Sequence, residues 1–127
     1  MMDREHFEEL VVEAVEGLPE EFQERLENIV VMVEDWPSRE QLAGVGLTHR
    51  GQLLGLYEGV PLTEAGRDYA LLPDRITIFR RPIENMCRTD EEVRRSIAAT
   101  VRHEIAHYFG ISDSRLDEIE MEQQGEE

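Results

Sequence analysis

The stretch from Thr89 to Gly110 leaves this chain little freedom in how it folds. Thr89 is followed three residues later by Glu92, a T-x-x-E pattern in which two side chains satisfy the free amides at a helix start. Val93, Ile97, Thr100, Val101 and Ile105 then recur at helical spacing, and Tyr108 extends the stripe. Gly110 follows, a residue that accepts the left-handed backbone with which helices end. A helix of this kind needs an equally apolar surface to lie on.

The rest of the chain offers that surface. Residues 4–18 predict a second amphipathic helix, with Phe7, Leu10, Val11, Ala14, Val15 and Leu18 on one face. Asp3 is its N-cap, and Gly17 and Pro19 end it. A short helical turn over Glu20–Glu27 follows. Three short strands are expected: Ile29–Glu34, Leu53–Tyr57 and Arg75–Arg80, the last with Ile76 and Ile78 on one face. Trp36-Pro37-Ser38 closes the first strand and Arg81-Pro82 the third. Residues 37–52 carry Gly44, Gly46 and Gly51 and read as a loop with room for one helical turn. Gly59-Val60-Pro61 opens a turn, and 62–73 reads as irregular. Ser112 or Asp113 caps a final helix to about Glu122, and the acidic tail 123–127 is expected to be disordered. No repeat and no linker interrupts residues 1–127, which read as one domain.

Charge and cysteine content narrow the partners. The formal net charge is -16, from 29 acidic and 13 basic residues. Such a surface repels phosphate backbones and argues against general nucleic-acid binding. The acids read first as a solvated surface, and second as a preference for basic partners. Cys87 is the only cysteine, so no intrachain disulfide can form, which fits a reducing cytoplasm. The opening MMDREHFEEL has no apolar signal core, and no apolar run approaches the roughly 20 residues of a membrane span. A cytoplasmic protein without membrane contact is expected.

The long helix carries His103-Glu104-Ile105-Ala106-His107, an H-E-x-x-H pattern. Two histidines four residues apart lie one turn apart on one helix face, so their imidazoles can converge on one metal ion. Imidazole suits Zn²⁺, and a catalytic zinc takes three protein ligands and keeps one position for water. Glu104 projects beside the same site and is placed to act as general base rather than as ligand. This pattern is a standard example of zinc-protease chemistry. The alternative for a lone histidine at a helix C-terminus is a charge that complements the helix dipole.

The third ligand is the less determined one. The segment continues as H-E-x-x-H-x-x-G-x-x-D, in which Gly110 lets the chain reverse and Asp113 can return to the metal. Asp113 could instead only cap the last helix. Asp117 and Glu118, one turn further along, are the alternative carboxylates.

The extended signature resembles that of the metzincins, with Asp113 where those have histidine. Some small secreted zinc proteases show that exchange. No Met-turn is evident: Met121 is the only later methionine and sits in predicted helix, where packing on a helix face is the simpler role. A fuller resemblance is to the minimal bacterial zincins, described as matrix-metalloprotease-like. The stretches that carry it are FEELVVEAVEGLPEEFQERLENIVVMVEDWP, LLGLYEGVPLT, DRITIFRRPI and RHEIAHYFGISDSRLDE, spanning about Asp3 to Met121. The resemblance implies an α+β fold with an N-terminal helix, a small twisted mixed sheet, the metal helix and a short C-terminal helix. It also implies one zinc ion on His103, His107 and Asp113, with Glu104 as catalytic base of a metallopeptidase. It supplies no substrate beyond an unidentified peptide or protein.

In zincins an edge strand holds the extended peptide by backbone pairing; Leu53–Tyr57 is the candidate by chain order, and reads equally well as an ordinary internal strand. Tyr57 and Tyr69 are candidate oxyanion donors or simply packing residues. Arg80 and Arg81 could receive a substrate carboxylate or pair with acids. His6 and His49 lack ligand spacing and read as surface residues, and Cys87 as unreactive. Two other functions fit parts of the pattern. A metal-dependent RNA-processing hydrolase also uses paired helical histidines, but Glu104 and the charge oppose it. A non-catalytic protein-binding module would close the metal's fourth position with Asp117 or Glu118.

Overall fold

The computed structural model describes residues 2–26, 29–59 and 74–125. Within them the order is α1 (Arg4–Glu16), α2 (Glu20–Gln23), β1 (Ile29–Glu34), α3 (Arg39–Gly44), a 3-10 turn (Arg50–Gln52), β2 (Gly55–Glu58), β3 (Asp74–Phe79), α4 (Arg80–Met86), α5 (Asp90–Phe109) and α6 (Asp113–Gly125). The expected irregular segment 62–73, with Tyr69, lies outside the described residues, as does the end of the tail. Among the described residues no helix is long and apolar enough to cross a membrane.

The three strands form a mixed sheet in the order β1-β3-β2. β1 runs parallel to β3, from Ile29 opposite Asp74 to Glu34 opposite Phe79. β2 runs antiparallel to β3, from Gly55 opposite Ile78 to Glu58 opposite Arg75. This is the small α+β fold with a mixed sheet that the resemblance implies. Side chains alternate across a strand, and the alternation of β3 serves both faces. Ile76 and Ile78 turn toward α1 and α5, where with Val33 they join Phe7, Leu10, Val11, Ile97, Val101 and Ile105 in the main core. Phe79 turns to the other face and packs with Leu42 and Leu53. Each such fully buried large side chain contributes about 1.5–3 kcal/mol, so the sheet holds α5 firmly along its length.

Capping occurs where the sequence places it. Thr89 and Glu92 form both hydrogen bonds of the capping box, and Gly110 adopts φ 68°, the left-handed end of α5. Asp3 accepts from the His6 amide at the start of α1. At the last helix Ser112, not Asp113, is the cap, because its Oγ accepts from the Arg115 amide at 3.1 Å.

Two helices correct the sequence reading. Residues 37–52 hold more than the one helical turn expected in the loop: α3 begins at a full capping box between Ser38 and Gln41, the same grammar as at Thr89, and a 3-10 turn follows. Arg81-Pro82 does not merely stop the third strand, since α4 starts at Arg80 directly after β3. Pro82 is tolerated there because first-turn amides have no partner within the helix, so its missing N–H costs nothing.

Candidate metal centre

α5 lies against β2, and the candidate site forms along that contact. β2, Gly55–Glu58 where the sequence reading had Leu53–Tyr57, is one of the two edge strands among the described residues, the other being β1. The Phe79 amide donates to the Leu54 carbonyl at 2.8 Å, which makes Leu54 and Phe79 a hydrogen-bonded pair. In an antiparallel ladder such pairs alternate. Leu56 and Glu58 therefore bond inward to β3, while Gly55 and Tyr57 turn their backbone groups outward.

One of those outward groups meets the H-E-x-x-H motif. The Tyr57 amide donates to Glu104 Oε1 at 2.9 Å. Glu104 is buried, whereas His103 and His107 are exposed beside it. His107 Nδ1 lies 3.6 Å from Glu104 Oε1. The two imidazole rings lie with centroids 4.3 Å apart and their planes tilted by 59°. One potential ligand atom from each of His103, Glu104 and His107 falls within 4.8 Å of the others, the cluster of this kind found among the described residues. A cleft of about 850 Å³ opens in front of it. Its walls include Leu53, Gly55, Met86, Ala99 and Thr100.

The other candidates are sorted by their contacts. Asp117 hydrogen-bonds Arg102, and Glu118 pairs with Arg115 at 3.1 Å, so both alternative third carboxylates are engaged elsewhere. Arg102 also bonds Glu120 at 2.8 Å, which ties α5 to α6. Burial opposes its charge, but the two acids outweigh burial and raise its pKa. Asp113 is the first residue of α6, just past Gly110, and its side chain lies outside what is described.

Tyr57 is not free to serve as an oxyanion donor. Burial, and then the charge of Asp74, raise its pKa, and its hydroxyl hydrogen-bonds the Asp74 carboxylate. Its ring meets Tyr108 edge-on at 5.5 Å. Arg80 and Arg81 both pair with the buried Glu84, and Arg80 also donates to the Met2 carbonyl at 3.1 Å. They build the scaffold rather than receive a substrate carboxylate. His49 is exposed but has a task, accepting from the Gly51 amide at 3.0 Å. Met121 is 70 % exposed and does not pack on a helix face. Cys87 lines the cleft, and burial, then the charge of Glu92, push its thiol up, with Ser96 opposing.

A paired-histidine helix under an edge strand, on a small mixed sheet, has the layout of a metal-dependent hydrolase. The family model of zincin-like metallopeptidases matches residues 26–123, and the chain belongs to that family. The match takes in the whole sheet, α5 and most of α6, and leaves α1 outside. None of the curated proteins compared matches the chain. Membership implies zinc binding, and the donor set agrees with it. Two imidazoles at helical spacing with an adjacent buried carboxylate suit Zn²⁺ by ligand type.

Proposed function

We propose that this protein is a zinc peptidase that holds one zinc ion through His103, His107 and Asp113 and uses Glu104 as its general base. The observation that carries this reading is the position of Glu104. Its carboxylate is buried, and one oxygen, Oε1, both lies 3.6 Å from His107 Nδ1 and accepts from the Tyr57 amide on the outward edge of β2 at 2.9 Å.

Zinc, when bound, supplies Lewis-acid polarisation of a carbonyl and lowers the pKa of water. His103 and His107 offer the imidazole donors from successive turns of α5. Gly110 ends α5 in the left-handed conformation three residues after His107 and α6 starts at Asp113, which supports Asp113 as the third donor. The extended peptide pairs with the outward groups of Gly55 and Tyr57. Glu104 then takes a proton from the attacking water at its carboxylate and returns it to the leaving amine nitrogen. The substrate is an unidentified peptide or protein, and the charge of -16 disfavours nucleic acid.

Glu104→Gln keeps the shape of the side chain and removes the base. It is expected to bind zinc like the wild type while peptide turnover falls by about 10²–10⁴-fold. Turnover that survives Glu104→Gln unchanged excludes the mechanism. RNA cleavage abolished by His107→Ala would replace a peptide substrate with RNA.

A further inference from the structure

β2 and α5 approach more closely than a side chain at the contact would permit. A Cβ built on Gly55 would lie 2.6 Å from Thr100 Cγ2 and 3.3 Å from Glu104 Cγ. The Thr100 methyl has no easy retreat. Thr100 is buried, and its Oγ1 donates to the Ser96 carbonyl at 2.8 Å, which fixes the rotamer. Backbone conformation does not explain a glycine here. Among the described residues the glycines with positive φ are Gly46 and Gly110. Gly55 is therefore explained by proximity, as strand glycines are where another element comes close.

What this proximity achieves stands two residues along the strand. Gly55 and Tyr57 share the outward edge, and the Tyr57 amide reaches Glu104 Oε1 at 2.9 Å. A methyl group at position 55 would have to move from 2.6 Å to the ordinary contact range of 3.4–4 Å from Thr100 Cγ2. A displacement of β2 by that difference takes the Tyr57–Glu104 pair out of hydrogen-bonding range. We propose that Gly55 is the positioning residue for Glu104: its missing side chain seats the edge strand on α5, so that the Tyr57 amide holds the carboxylate beside His107. The proposal rests on the reading of Glu104 as general base only for its catalytic consequence.

Amide exchange followed by NMR on the metal-free protein tests it without activity. In Gly55→Ala the Tyr57 amide is expected to lose about tenfold or more of its protection, while the amides of β1 keep theirs. Adding Thr100→Ser, which deletes Cγ2 and keeps the hydroxyl, is expected to restore Tyr57 protection. Glu104→Ala, with Gly55 intact, is expected to expose the Tyr57 amide as well, and this arm decides if Gly55→Ala does not fold. In the zinc-loaded protein turnover is expected to fall in Gly55→Ala and return in the double variant. Unchanged Tyr57 protection in Gly55→Ala or in Glu104→Ala overturns the proposal, as does failure of Thr100→Ser to restore it. Exchange that behaves as expected, with turnover indifferent to Glu104→Gln, would instead remove the peptidase mechanism and leave the positioning intact.

Discussion

His103 and His107 face one another across a single turn of α5, their ring centroids 4.3 Å apart. Both are exposed, so the folded protein presents a donor pair that the unfolded chain does not hold together. Zinc should therefore bind the native state preferentially and stabilise it. At a free zinc concentration 100 times Kd the gain is about 2.7 kcal/mol. Thermal unfolding with and without zinc should show a rise in Tm in the wild type and none in His107→Ala. Elemental analysis after chelator-free purification should find one zinc per chain.

The third donor can be separated from its neighbours in sequence. Asp117 and Glu118 are bound to Arg102 and Arg115. Titration with a competing chromophoric chelator should show that Asp117→Ala and Glu118→Ala leave zinc affinity within about threefold of wild type, roughly the scatter that surface substitutions of ±0.5 kcal/mol produce. Asp113→Ala should weaken it at least tenfold, the effect of losing about 1.4 kcal/mol. A loss confined to Asp117→Ala or Glu118→Ala would reassign the ligand.

Arg80 and Glu84 form a salt bridge of 2.9 Å with side chains only 12 % and 3 % exposed. Removing one partner leaves a charge withdrawn from water, at a cost of about 3–5 kcal/mol. Urea unfolding of Glu84→Ala should show that loss. Arg80→Met/Glu84→Leu should recover much of it, because a packed apolar pair needs no compensation. Equal losses in the single and double variants would mean that Asp35 and the Met2 carbonyl, not Glu84, carry the role of Arg80.

Cys87 lies in the wall of the cleft, yet burial and then Glu92 raise its thiol above the ordinary value of 9.0. The reactive species is the thiolate. A raised value means that the thiolate is scarce at neutral pH and accumulates only as pH climbs past 9. Alkylation by iodoacetamide, followed by mass spectrometry, should accordingly stay slow near pH 7 and show its inflection above pH 9. An inflection below that point would contradict the burial of the sulfur.

The readable parts of the fold are those whose signals are local. α5 has a capping box, a stripe and a terminal glycine within one segment, and all three appear as expected. β1 spans the apolar run Ile29–Glu34. α3 has a capping box too, at Ser38 and Gln41, but it lies in a segment whose three glycines read as loop. α4 was hidden by Pro82, which reads as a stop when the first turn of a helix is not suspected. In the site, His103, Glu104 and His107 were legible from their spacing. The bond from Tyr57 to Glu104 was not, since it joins residues 47 apart and periodicity says nothing about which edge of which strand a helix will meet. Asp117 and Glu118 looked available because a list of neighbours in sequence does not show Arg102 and Arg115 reaching them.

β2 is four residues long, and that brevity limits what the cleft can grip. Its outward side offers the Gly55 N–H, the Gly55 C=O and the Tyr57 C=O, since the Tyr57 N–H already serves Glu104. Three backbone bonds at about 0.5–1.5 kcal/mol each hardly match the roughly 4–15 kcal/mol lost when two molecules associate. A random polypeptide would thus dissociate before it reacted. Under the proposed peptidase function, a chain that stays must bring side chains that fill the space beside Leu53, Met86 and Ala99, so selectivity would come from the weakness of the backbone hold.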